Sequence, residues 1–110
     1  MDLAVEVYRL ARLMPTNEEF RVTSQLVRAA ASVPANIAEG NARGTRKDYA
    51  NFISISRGSL AETETLIMLA IRSGLLSADE TSRTLQMTDE LGRQHDVLRQ
   101  RLAQKPVPNP

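Results

Sequence analysis

His95 is the only histidine in a chain of 110 residues that contains no cysteine, which narrows the chemistry open to the sequence from the outset. Without a thiol there is no disulfide framework, no thiolate nucleophile and no cysteine-based zinc or iron–sulfur site. A carboxylate-bridged di-metal bundle needs a glutamate three residues before each of two histidines. Here that position is Gly92, and there is no second histidine. Any serine nucleophile would have to use this same His95 as its base, and the residues around it match no hydrolase motif. The stretch 40–44, with Gly40, Arg43 and Gly44, is a short connection without the lysine of a phosphate-cradling loop. The expectation is a protein that is not an enzyme, with no metal and no cofactor, in which His95 is a core histidine.

Charged side chains carry the remaining candidate chemistry. Net charge is +1, yet residues 43–73 hold five basic side chains (Arg43, Arg46, Lys47, Arg57, Arg72) against three acids, while the rest of the chain holds nine against ten. Twelve of the fourteen cations are arginine, whose planar fork suits carboxylates and phosphates. Arg43, Arg46, Lys47 and Arg57 are therefore the candidates for binding nucleic acid or another partner, through phosphate contacts that would be strongly salt-dependent. Against this stand interspersed acids and only four aromatic residues to stack on bases. Glu62 falls on an apolar seam, where an unpaired carboxylate is costly. It calls either for a structural pair with Arg28 or Arg57 beside Ser59, or for a place in the polar lining of an intersubunit groove or ring channel. The first reading makes Glu62→Ala destabilising by about 1 to 3 kcal/mol. Glu39 sits where a helix end disfavours a carboxylate, so Arg43 or Arg46 should offset it. Ser32 and Asn36 flank Pro34 and can satisfy backbone groups that the proline leaves free.

Four helices must position these groups. Leu3, Val7, Leu10 and Met14 share one face of a first helix, expected from about residue 2 to 13 and stopped by Pro15. Thr16 and Glu19 have capping-box spacing and could start a short turn through Phe20. A second helix from about residue 22 carries Val22, Leu26, Ala30, Val33 and Ile37 on one face. Pro34 should kink or restart it near Ser32, and Gly40 offers a left-handed residue for its end, with helical structure persisting to Arg43 as the alternative. Thr45 caps a third helix over 46–73 with two adjacent seams. One runs through Tyr49, Ile53, Ser56, Leu60, Thr63, Ile67 and Ala70, and the other through Phe52, Ile55, Ser59, Leu66 and Leu69. Gly74 ends it, and the capping box of Ser77 and Glu80 opens a fourth helix carrying Thr81, Leu85, Thr88, Leu91, His95, Leu98 and Leu102.

Connections this short join antiparallel neighbours, which makes the fold all-α, an antiparallel up-down-up-down four-helix bundle over 1–104, followed by a Pro-rich flexible tail at 105–110. The longest apolar run, 66–71, is far below the roughly 18 residues of a membrane span, and the N-terminus lacks a basic leader, so a cytoplasmic location with no membrane partner is expected. Helix 3 spans roughly 42 Å and helix 1 only about 18 Å. The double seam and this mismatch leave more apolar surface than one bundle covers, which points to self-association.

Leu26, Arg28-Ala29-Ala30, the run Val33-Pro34-Ala35-Asn36-Ile37-Ala38-Glu39-Gly40, Arg43, and Arg57-Gly58-Ser59-Leu60-Ala61-Glu62 carry a family resemblance. With them the chain resembles the four-helix-bundle proteins encoded within intervening sequences of bacterial 23S ribosomal RNA genes. The resemblance implies a left-handed bundle that associates into a homo-oligomeric ring, commonly a pentamer, with no established enzymatic activity. It also implies further turns upstream of helix 1. A related branch, the accessory proteins of diversity-generating retroelements, is similar in fold and binds nucleic acid and a reverse transcriptase, which suggests RNA, DNA or a nucleic-acid-processing protein as partner. This sequence is far less basic than that branch. The competing expectation is a protein-binding structural scaffold with no nucleic-acid contact.

Overall fold

The computed structural model describes residues 1–104, apart from the side chains at 18–20. The tail expected at 105–110 lies outside the described residues. Four helices follow in order: α1, Asp2–Leu13; α2, Ser24–Ala42; α3, Arg46–Arg72; and α4, Ala78–Ala103. No strand occurs among the described residues. Contacts fix the antiparallel arrangement. Ser32 of α2 meets Ser59 of α3 while Gly40 of α2 lies against Phe52, so these two helices run in opposite directions. Arg46 at the start of α3 reaches the end of α4, and Arg9 of α1 reaches the Glu80 carbonyl at the start of α4.

The core is aliphatic, as so few aromatic residues require. Leu3, Val7 and Leu10 of α1, Leu26, Ala30 and Val33 of α2, and Leu60, Ile67 and Ala70 of α3 form one buried cluster, closed at one end by Leu76. The first seam of α3 is buried as its spacing predicts, with Tyr49 at its edge half-buried. Three threonines of α4, Thr81, Thr84 and Thr88, face the same interior. Thr81 and Thr88 return their hydroxyls to carbonyls on their own helix, which hides the polar group and leaves the methyl to pack. Thr84 Oγ1 is buried without a hydrogen-bond partner among the described residues.

The end signals are used as their chemistry dictates. Thr45 Oγ1 accepts from the Asp48 amide, and Ser77 and Glu80 form a reciprocal capping box. Gly44 and Gly74 hold φ of 82° and 78°, the left-handed region where a Cβ is costly.

Three local expectations are corrected. First, α2 does not restart near Ser32 but is one helix from Ser24 to Ala42 with Pro34 inside it. The carbonyls beside the proline are gripped by side chains, Ser32 O by Asn36 Nδ2 at 2.8 Å and Val33 O by Ser56 Oγ at 3.1 Å. The carbonyl that Pro34 itself leaves without an N–H is that of Ala30, four residues back, so these bonds hold the residues beside the proline without replacing its lost bond. The break lies upstream, where a 3-10 turn (Thr16–Glu18) and a π turn (Glu19–Thr23) precede α2, and Arg21 leaves helical geometry at φ −113°, ψ −113°. Second, Gly40 does not end the helix by a left-handed turn. A Cβ there would sit 2.7 Å from Phe52 Cβ and 3.2 Å from Tyr49 Cδ1, so its role is close approach of α2 and α3. Third, the second seam of α3 is only partly interior. Leu66 is buried and Phe52 and Ser59 are half-buried, but Ile55 and Leu69 are exposed.

Candidate functional site

His95 and Ser56 form the one arrangement of reactive side chains that sequence spacing did not reveal. Ser56 Oγ lies 2.7 Å from His95 Nε2, and His95 Nδ1 lies 2.7 Å from the Leu91 carbonyl oxygen. A carbonyl oxygen only accepts, so Nδ1 carries the proton and donates it, leaving Nε2 to face the serine hydroxyl. In distance alone this is a nucleophile beside a base. Access decides otherwise, because Ser56 is 0% and His95 4% exposed, and Nδ1 is turned to a backbone carbonyl rather than to an orienting carboxylate. Val33 O lies 3.1 Å from the same hydroxyl, whose single proton goes to Nε2 or to this carbonyl but not to both at once. The chain Val33–Ser56–His95–Leu91 therefore ties α2, α3 and α4 together through the core as a closed polar clamp.

A second polar line joins α2 to α3 nearer the surface. Asn36 Nδ2 donates to Ser32 Oγ at 2.8 Å, and Ser32 Oγ lies 2.9 Å from Ser59 Oγ. Three of the expected network residues, Ser32, Asn36 and Ser59, are thus brought together. Glu39 pairs with Arg43 at 2.8 Å, one helical turn away, as its position required. Glu62 and Arg28 are corrected. Both are exposed, and neither makes an ion pair or hydrogen bond among the described residues. Glu62 lies seven residues from both Ile55 and Leu69, on the flank of α3 that turns out of the bundle, so its carboxylate stays in water and needs no buried cation.

The basic candidates are mostly committed within the chain. Arg43 holds Glu39 and lays its guanidinium 5.2 Å from the Phe52 ring centre. Arg46 donates Nε to the Leu102 carbonyl at 3.0 Å and Nη2 to the Arg101 carbonyl, which satisfies the free carbonyls at the end of α4 and offsets its dipole. Arg57 pairs with Asp96 of α4 at 3.2 Å, not with Glu62, and rests over Gly92, where a Cβ would come within 3.2 Å of its Nη2. Lys47 is exposed and makes no such contact among the described residues. Among those residues no three His, Cys, Asp or Glu side chains gather as a metal site, and no helix is long and apolar enough to cross a membrane.

Comparison with known proteins agrees with this architecture. A protein of unknown function from the S23 ribosomal protein family of Bacteroides thetaiotaomicron superposes with a TM-score of 0.82, covering 89% of this chain and 92% of that one at 23% identity. At that identity the likeness speaks for the fold. No curated protein matches the chain. The sequence profile of the 23S rRNA-intervening sequence proteins matches residues 1–96, which takes in the Pro-x-Asn-Ile-Ala-Glu-Gly stretch of α2, the serine–asparagine line and the His95 clamp. The chain belongs to the 23S rRNA-intervening sequence protein family.

Proposed function

We propose that the protein is a non-enzymatic, ring-forming homo-oligomer that works as a binding scaffold, its subunits meeting across the outward face of α3. The observation that carries this reading is the surface of that helix. Ile55, Met68 and Leu69 are 52%, 40% and 46% exposed. Between them run Ser54, Gly58, Ala61 and Thr65, all exposed, spaced four, three and four apart, and without charge. A Cβ on Gly58 would meet nothing within 4 Å, so a neighbouring backbone can approach closely there. An apolar row flanking small residues on a long exposed helix is a packing face without its partner in the single chain. Five copies is the number that the family resemblance implies. In that setting Glu62, between Ile55 and Leu69, becomes a polar group at the joint between subunits.

The scaffold reading is favoured over nucleic-acid binding at the α2–α3 connection because Arg43, Arg46 and Arg57 already hold internal partners. Lys47 alone of the four is left to meet a phosphate. Two measurements test the proposal. Light scattering on the purified chain should give a mass several times 12.2 kDa. Titration of labelled single-stranded and duplex oligonucleotides at low salt should give no binding that depends on Arg43, Arg46 and Lys47. Salt-sensitive binding abolished by changing those three to alanine would restore the nucleic-acid reading.

A further inference from the structure

The break between α1 and α2 leaves a crevice of about 560 Å³, well away from the α3 face. Its walls come from the end of α1 (Tyr8, Ala11, Arg12), the turn after it (Met14, Pro15, Thr16) and the start of α2 (Thr23, Ser24, Val27, Arg28). Such a volume is that of a small-molecule site, which typically holds roughly 300 to 1,000 Å³. One feature sets it apart, a pair of arginines without partners among the described residues. Arg12 and Arg28, contributed by different helices, make no ion pair or hydrogen bond among the described residues. Arg9, Arg43, Arg57, Arg93 and Arg99 are paired; Arg72, Arg83 and Arg101 are not among the described residues, but each is the single unpaired arginine of its own crevice and shares it with a carboxylate.

The lining divides by chemistry. Ala11, Met14, Pro15 and Val27 are apolar, and Tyr8 leaves its ring 52% exposed beside them. Two unpaired guanidinium forks and the hydroxyls of Thr16 and Ser24 supply only donors to an anion. A phosphate, with three terminal oxygens, uses two forks and a hydroxyl more fully than a two-oxygen carboxylate does. We infer that this crevice binds a phosphate ester of a planar ring, of the nucleoside monophosphate class, with the phosphate between Arg12 and Arg28 and the ring against Tyr8. The phosphate-bearing ring could be a free nucleotide or the 5′-phosphorylated end of a strand.

The full-length chain, labelled with nitrogen-15, is titrated with AMP, inorganic phosphate, adenosine and a 5′-phosphorylated tetraadenylate, following amide shifts. AMP should move the amides of Tyr8, Thr16, Ser24 and Val27 and bind about tenfold or more tightly than phosphate or adenosine alone. Arg12→Gln and Arg28→Gln, both at exposed positions and checked for helicity, should each weaken AMP about tenfold, the scale of one charge-assisted hydrogen bond. Tyr8→Ala should weaken it about fivefold or more, the scale of ring stacking. Arg83→Gln, at an arginine that does not line this crevice, should leave it unchanged. If AMP binds at least as tightly as the tetranucleotide, the free nucleotide is the ligand; if the tetranucleotide is tighter at the same amides, the strand end is. Shifts confined to other residues, AMP binding no tighter than phosphate, or both arginine variants binding as the parent does would overturn the inference. None of these outcomes depends on self-assembly.

Discussion

Replacing Gly40 with alanine should destabilise the protein even though alanine is the better helix former. An interior glycine costs a helix about 0.5 to 1 kcal/mol relative to alanine, so the substitution starts with that gain. Against it stands the packing of α2 on α3. The new methyl would lie 2.7 Å from Phe52 Cβ, 3.2 Å from Tyr49 Cδ1 and 3.4 Å from Tyr49 Cα. Phe52 Cβ and Tyr49 Cα move only with their backbone, so of the three contacts only that with Tyr49 Cδ1 is relieved by turning a side chain. The helices must part by several tenths of an ångström, which disturbs the half-buried Phe52 under Arg43 and the neighbouring Ser32–Ser59 contact. Overpacking of this kind costs about 1 to 3 kcal/mol, leaving a net loss of about 1 to 2 kcal/mol. For a chain of this size that lowers the melting temperature by about 5 to 15 °C. Gly58→Ala is the internal comparison within one subunit, since its Cβ meets nothing within 4 Å of its own chain, and in a background with Ile55 and Leu69 changed to lysine to prevent assembly it should raise stability by about 0.5 to 1 kcal/mol. Both are read by circular dichroism during thermal and urea unfolding, at one protein concentration because assembly shifts apparent stability. A Gly40→Ala protein that melts at or above the parent would refute the close-approach role.

Three further changes probe the polar interior and the helix ends by urea unfolding. Ser56→Ala removes the group that His95 Nε2 faces and should cost about 1 to 3 kcal/mol, while an unchanged midpoint would mean the clamp contributes nothing. Thr84→Val keeps the shape of a buried residue and removes its unpartnered hydroxyl, so it should stabilise by about 1 kcal/mol; a loss of stability would reveal a partner for Oγ1. Ser77→Ala breaks the capping box of α4 and should cost about 1 kcal/mol, whereas Glu62→Ala should stay within about 0.5 kcal/mol of the parent. A large effect at Glu62 that persists when Ile55 and Leu69 are lysine and the subunits are apart would return it to a pair within the chain.

Helix bounds were legible where the ends carry chemistry that acts over three or four residues. Thr45 with Asp48 and Ser77 with Glu80 bond to one another, so their spacing announces them. The clamp was not legible in that way. Ser56 and His95 are 39 residues apart, and nothing local to either reports the other. Gly40 was misread for the same reason, since a glycine near a helix end looks like a stop until Phe52 is seen against it. Pro34 by its local rule should kink or restart the helix, and α2 instead carries it as an interior residue without a restart. The Ile55 and Leu69 seam shows a different limit. Apolar periodicity marks a face that seeks burial, and in the single chain that face of α3 has no partner. Glu62, on the same flank, was therefore placed in a core that is absent there.

Self-association through α3 is tested most directly by the mass of the full chain in solution. Light scattering at micromolar concentration should give close to five times 12.2 kDa for the parent. Changing Ile55 and Leu69 together to lysine, at positions already exposed in the single chain, should leave a folded helical protein of 12.2 kDa. A parent that is monomeric at that concentration, or a double variant that assembles as the parent does, would contradict the account.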